Sequence, residues 1–350
     1  MVRSNSRWLG IGFGVAALLL ALVFTTLVLL LARAQPFEAY ANIISGSVGS
    51  INKIADTLVA WVPLALVTSG LLITFTAGLW NIGVEGQITL GAIFTTLVLR
   101  LLQPTDIPPA LSIVLSMLAG MLGGALWALL AGGLKVFGGV NEIFSGLGMN
   151  FVATAITLWL IFGPWKRPGV GSMSGTEPFL PALWLPVIPG FRLSAWALVL
   201  ALVVLVITFL MLQGTHFGLK MKAVGRNARS AFLLGIPTTR YMLLSFMLCG
   251  AFAGLAGFVQ VTAVYHRLIP SISSGYGFLG LLVAMLVNFS PLWAAAVAFG
   301  FAALNIGSIQ LPIVLKLDST LSGVLQGALV LSVLIMDGVR RRFLGKSSGG

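Results

Sequence analysis

Between Arg267 and Lys316 the chain runs for 48 residues without a single charged side chain, and shorter uncharged runs recur along most of its length. A helix rises about 1.5 Å per residue and must cover about 30 Å of hydrocarbon, so an uncharged window near 20 residues has the length of a membrane crossing. Only 8% of the residues are charged and 58% are hydrophobic, whereas a soluble domain carries about 25% charged residues. That leaves too little polar surface for a water-soluble domain, and the long apolar runs exclude a disordered chain. The expected fold class is an all-α polytopic membrane protein, with residues 1–350 forming one transmembrane domain.

The charges mark the windows. The first is 8–32, between Arg7 and Arg33; its 25 uncharged residues exceed the ~7–15 of a signal-peptide core, so it reads as an uncleaved span. Further windows follow at 57–78, 88–103, 109–134, 143–163, 194–212, 241–262, 278–287, 291–310 and 319–336. The 48-residue run is too long for one helix, and Asn288-Phe289-Ser290-Pro291 supplies the turn chemistry that divides it. About ten transmembrane helices result. Placing both termini in the cytoplasm puts 12 Lys and Arg inside and 8 outside, concentrated inside in the 213–240 loop and the basic 339–350 tail. The net charge of +12 is therefore read as a topology signal rather than a nucleic-acid surface. The outer connection, 164–193, holds six prolines and reads as an irregular cap over the outer face. Cys249, the single cysteine, excludes an intrachain disulfide and reads as a small packing residue.

Four stretches carry polar groups where apolar ones would be expected. In Gly78-Leu79-Trp80-Asn81-Ile82-Gly83-Val84-Glu85-Gly86-Gln87, only 14 uncharged residues separate Glu85 from Arg100. That is about 21 Å of helix, so with Arg100 at the outer interface Glu85 is drawn to membrane depth. A carboxylate there costs ~2.5–3.5 kcal/mol or more unless it faces a polar cavity or is protonated. The three glycines permit a broken helix lining a pathway; a tight cytoplasmic turn is the alternative. In the second stretch, residues 139–150, Asn141 caps a helix with Glu142 in its first turn, and Asn150 lies two turns deeper as either an interhelical partner or a pathway residue. The third, 216–237, contains Gly225-Arg226-Asn227-Ala228-Arg229-Ser230 and a stop at Gly235 and Pro237. It reads as a short surface helix with Phe232, Leu233 and Ile236 on one side, serving either as a knob for another protein or as an anchor on anionic lipid. The fourth, 274–280, faintly repeats the glycine pattern of the first. Spans two to five and seven to ten would then form an inverted repeat.

No catalytic machinery accompanies these groups. Gly345-Lys346-Ser347 resembles the end of a phosphate loop, but the required earlier glycine falls on Arg340. No HExxH helix or GxSxG elbow is present, and no metal or catalytic site is expected.

The stretches GLWNIGVEGQ, NEIFSGLGMN, AVGRNARSAFLLGI and GYGFLGLLVAMLVNFSP resemble, in order and spacing, the permease subunits of bacterial ATP-binding-cassette importers. The family serves branched-chain amino acids, ribose-type sugars and nucleosides, and GLWNIGVEGQ is most similar to its nucleoside or simple-sugar branch. The resemblance covers about residues 56–337 and implies a single permease domain in the bacterial inner membrane. It also implies a second permease chain (homo- or heterodimer), cytoplasmic ATPase subunits that hold the ATP, and an external substrate-binding protein; the chain itself would bind no cofactor. It places the ATPase-coupling helix at Gly225, Arg226, Asn227, Arg229, Ser230 and Gly235. Asn81, Glu85, Gln87, Asn150 and Asn288 are the expected substrate-pathway residues, chosen as polar groups at membrane depth. The competing expectation is a proton-coupled secondary transporter working through a residue such as Glu85. Within the importer class, a ribose-type sugar or a branched-chain amino acid is the alternative cargo.

Overall fold

The computed structural model describes residues 16, 19–31, 33–169, 175–287, 291–316 and parts of 323–339. Its elements are helical. In chain order they are α1 (Leu19–Leu31), α2 (Pro36–Val48), α3 (Ile51–Thr76), α4 (Val84–Leu102), α5 (Pro109–Val136), α6 (Glu142–Phe162), α7 (Ala195–Gly214), α8 (His216–Arg226), α9 (Ala228–Leu233), α10 (Thr238–Val259), α11 (Tyr276–Leu286), α12 (Pro291–Ser308) and α13 (Gln310–Val314). Seven stretches among the described residues are long and apolar enough to cross a bilayer: α3 to α7, Thr238–Val264 and Pro291–Val314. They coincide with seven of the charge-free windows, because a charge in hydrocarbon is costly and so collects at the ends of crossings.

The remaining windows behave differently. The described part of the first, α1, turns by 111° into α2. α2 lies outside the charge-free windows, although Pro36 at its start and Glu38 in its first turn are ordinary helix-start chemistry. The window at 278–287 becomes α11, whose 11 residues reach only about 16 Å, half of a hydrocarbon core. The window at 319–336 and the basic tail fall largely outside the described residues.

The chain forms two compact units, one from Met1–Thr57 with Gly300–Gly350, the other from Leu58–Phe299. In the first, α2 lies against the end of the chain's last described helices: Gly46 faces Gln310 and Gly307, and Gly307 meets the carbonyl of Ile43. Leu29, Ala39, Ile43 and Leu311 form its small core. In the second, α4, α5 and α10 pack through glycines. A side chain at Gly124 or Gly250 would collide with the other's carbonyl, one at Gly254 with the carbonyl of Gly120, and one at Gly91 with Gly254. Without a hydrophobic force between helices in lipid, such close backbone approach is what lets dispersion hold them together. The described part of the proline-rich 164–193 connection is folded onto the chain after α10: the Thr176 N–H donates to Leu268 O, Phe179 N–H to His266 O and Leu185 N–H to Thr262 O.

Candidate functional site

The site is built on a break between α3 and α4. α3 ends at Thr76 in a left-handed cap: Gly78 has φ +75°, its N–H donates to Phe75 O, and the Leu79 N–H reaches back to Thr74 O. This bond pair is the usual glycine-dependent way to close a helix. The chain then runs without helix through Asn81 to Gly83 before α4 starts.

Three amides fill the break. Asn81 and Gln87, both buried, pair reciprocally: Asn81 Nδ2 donates to Gln87 Oε1 at 3.1 Å and Gln87 Nε2 to Asn81 Oδ1 at 2.9 Å. Asn81 Nδ2 also lies 3.1 Å from Cys249 Sγ. Cys249 sits nine residues beyond Arg240 on α10, about 13 Å along the helix, so the pair lies well inside a ~30 Å core. Asn150 on α6 serves the backbone of the break. Its Oδ1 accepts from the Gly86 N–H at 2.8 Å and its Nδ2 donates to Ile82 O at 3.0 Å. α6 comes this close because Gly146 lies directly on the Gly83 backbone. The Trp127 indole Nε1 is buried against Gly86 and has no hydrogen-bond partner.

Glu85 is only 7% exposed. Its Oε1 accepts from the Phe278 N–H at 3.0 Å, at the start of α11. Asn81, Glu85, Gln87 and Asn150 are thus brought together around one break, while Asn288 lies outside the described residues. Cys249 reads from sequence as a packing residue and Trp127 carries no sequence signal of its own; only the fold brings them to Asn81 and Gly86.

The residues of the 213–240 loop form a second group. α8 ends beside Gly225, and Asn227 caps α9 by accepting from the Ser230 N–H at 2.9 Å. Arg226, Arg229 and Ser230 are exposed, and Gly235 ends the segment with φ +81°. Phe232, Leu233 and Leu234 are 65%, 78% and 80% exposed, whereas Ile236 is half-buried. The apolar side therefore includes Leu234 in place of Ile236. Gly225 rests on the break itself: a side chain there would collide with Thr76 O and lie 2.9 Å from Gly78 N. Asn141 caps α6 through the Ile143 N–H as its sequence implies, and Glu142 pairs with Lys135 at 2.7 Å.

At the far end of α4, Arg100 lies over the Trp165 ring at 5.6 Å. His266, with φ +56°, stacks on Trp184 at 3.8 Å. Partial burial holds its imidazole below the usual histidine range, opposed by its contact with Thr262 O. No cluster able to hold a metal occurs among the described residues.

Known proteins are similar to this chain in sequence. The model of the branched-chain amino acid transport system / permease component family matches residues 53–334. The glucose ABC transporter permease protein TsgB13 of Haloferax volcanii is 28% identical over 98% of this chain and 92% of its own length. The nucleoside ABC transporter permease protein NupB of Lactococcus lactis is 27% identical over 78% of this chain and 77% of its own. For the guanosine ABC transporter permease protein NupP of Bacillus subtilis the figures are 25%, 93% and 93%. These relatives are permeases of nucleosides and sugars, the branch that the GLWNIGVEGQ stretch resembles, and a match over 53–334 takes in the whole site. The chain belongs to the branched-chain amino acid transport system / permease component family of ABC transporter permeases.

Proposed function

We propose that the chain is the membrane subunit of an importer that moves a nucleoside or related simple sugar into the cell across the plasma membrane. Alternating access is powered by ATP hydrolysed on separate cytoplasmic subunits, with a second permease chain completing the pathway and an external binding protein delivering the solute. The observation that carries this reading is the Gly225–Gly78 contact. It joins the exposed apolar α9 to the buried amides of the break, so a displacement of α9 is felt at Asn81 through backbone that cannot yield. α9 with Gly225, Arg226, Asn227, Arg229, Ser230 and Gly235 is the surface that docks the ATPase. Asn81, Gln87, Asn150 and Asn288 line the solute pathway, and Glu85 stands at its border on the first turn of α4, facing the start of α11. Trp127 Nε1, a buried donor without a partner, suits a solute hydroxyl or ring nitrogen, since an unpaired buried donor costs about 1–3 kcal/mol. The nucleoside and sugar permeases among the relatives support the choice of cargo.

Ten crossings with cytoplasmic termini complete the proposal: the seven long helices, the bent pair, a broken crossing of which the half-length α11 is the helical part, and the 319–336 window. The two helix starts at depth, α4 and α11, support an inverted repeat of spans two to five and seven to ten, in which broken helices meet near the midplane.

Co-purification with the candidate ATPase subunit tests this reading. Wild type retains the ATPase through size-exclusion chromatography in mild detergent, and Phe232→Ser with Leu233→Ser loses it while remaining folded. Retention by the double variant would remove α9 from the docking role, and failure of the wild type to bind any ATPase would remove the importer reading.

A further inference from the structure

Glu85 makes contacts that a bare polar pathway does not require. Ser274 (φ +50°) and Gly275 (φ +75°) turn the chain sharply into α11. The Tyr276 N–H finds Ser273 O and the Leu279 N–H finds Gly275 O, but Gly277 and Phe278 have no acceptor within their own segment. Gly275 lacks the side chain that would cap them. A helix start left unsatisfied at membrane depth, away from water, costs several kcal/mol per group.

The acceptor comes from α4, 193 residues away in sequence. Glu85 Oε1 takes the Phe278 N–H at 3.0 Å, and the same carboxyl group faces the Gly277 N–H and the Ser273 hydroxyl. The fit is close on both sides. A methyl group at Gly277 would lie 2.9 Å from the Glu85 carboxyl carbon and 2.9 Å from its backbone nitrogen.

We propose that Glu85 is a positioning residue that caps the half-length helix α11 from a neighbouring helix, latching the α3–α4 break to the start of α11 so that the two move as one. An acceptor oxygen is what this role needs, not a charge to hold a solute or carry a proton. The inference deepens the pathway reading above and rests on it only for transport.

Two readouts separate the two claims. In nanodiscs holding the chain alone, amide exchange over 276–279 accelerates about tenfold or more in Glu85→Ala and in Gly277→Ala, and stays within about threefold of wild type in Glu85→Gln, whose side-chain carbonyl can still accept. In proteoliposomes of the whole complex, uptake of whichever solute the wild type moves follows the same order, with Glu85→Gln keeping the wild-type pH profile. Exchange in Glu85→Ala equal to wild type overturns the proposal. So does Glu85→Gln that is protected in exchange yet as inactive as Glu85→Ala, because charge would then be the requirement. The exchange measurement stands even if the wild type moves neither nucleoside nor sugar, a result that would count against the proposed cargo alone.

Discussion

Asn150 answers two backbone groups, the Gly86 N–H and Ile82 O, that the break leaves without helical partners. Replacing it with Leu keeps the volume close and removes both bonds. The expected cost is about 1–3 kcal/mol, seen as a melting temperature several degrees lower in detergent, because a partly buried amide and carbonyl lose their acceptor and donor together. An unchanged melting temperature would mean that water reaches the break. His266 bears on the 164–193 connection, through Trp184 and Phe179. Its folded pKa is lowered by burial, so the unfolded chain takes up the proton first. Stability is complete above the ordinary histidine range and is lost as pH falls through about 6.5 towards the lower folded value. The partial exposure of the ring limits the effect to about 2 °C in melting temperature. His266→Phe retains the stack on Trp184 and abolishes that pH dependence, which a pair of melting curves at pH 7.5 and 5.5 would check.

The glycines of α4, α5 and α10 act as an interface, and elements rather than residues set their importance. Gly254→Val forces α10 away from α5, where the backbone of Gly120 and Met121 leaves no room; such overpacking costs about 1–3 kcal/mol or more. The variant should accumulate poorly and aggregate in mild detergent. Gly148→Ala on α6 meets nothing within 4 Å and should be tolerated or slightly stabilising, by up to about 1 kcal/mol, since alanine favours helix. Equal behaviour of the two variants in a fluorescence size-exclusion assay would contradict the packing described. The same scale explains what could be read in advance. Charges delimited α3 to α7 because each crossing ends where a Lys, Arg, Asp or Glu can reach water. Inside the 48-residue run they gave no ruler, and there the turn chemistry of Asn288–Pro291 marked off the short 278–287 window that becomes α11; the widened π-turn at Gln260–Val264 carries no charge or turn signal and was not legible. α2 was missed because a helix bent away from its predecessor shows as no apolar window.

For the molecule as a whole, the polar residues of the site were legible because they were anomalous: Glu85 stands too close to Arg100 for a full crossing, and Asn150 has no local partner in its span. Their mutual arrangement was not. Nothing in the local pattern of residues 78–87 indicates that Glu85 caps a helix 193 residues on, that Asn81 meets Cys249, or that Gly225 closes on Gly78. Those pairings arise from tertiary packing: α10 beside the break for Asn81, α11 against α4 for Glu85, and α8 against the end of α3 for Gly225. The central claim, that this chain moves solute only as part of an ATP-driven assembly, is tested most directly by uptake into proteoliposomes. The permease would be reconstituted with its ATPase and supplied with loaded binding protein outside. Labelled guanosine, adenosine or glucose should then accumulate only when ATP is available to the ATPase. Accumulation by the lone chain under a pH gradient, with no ATPase present, would contradict the account.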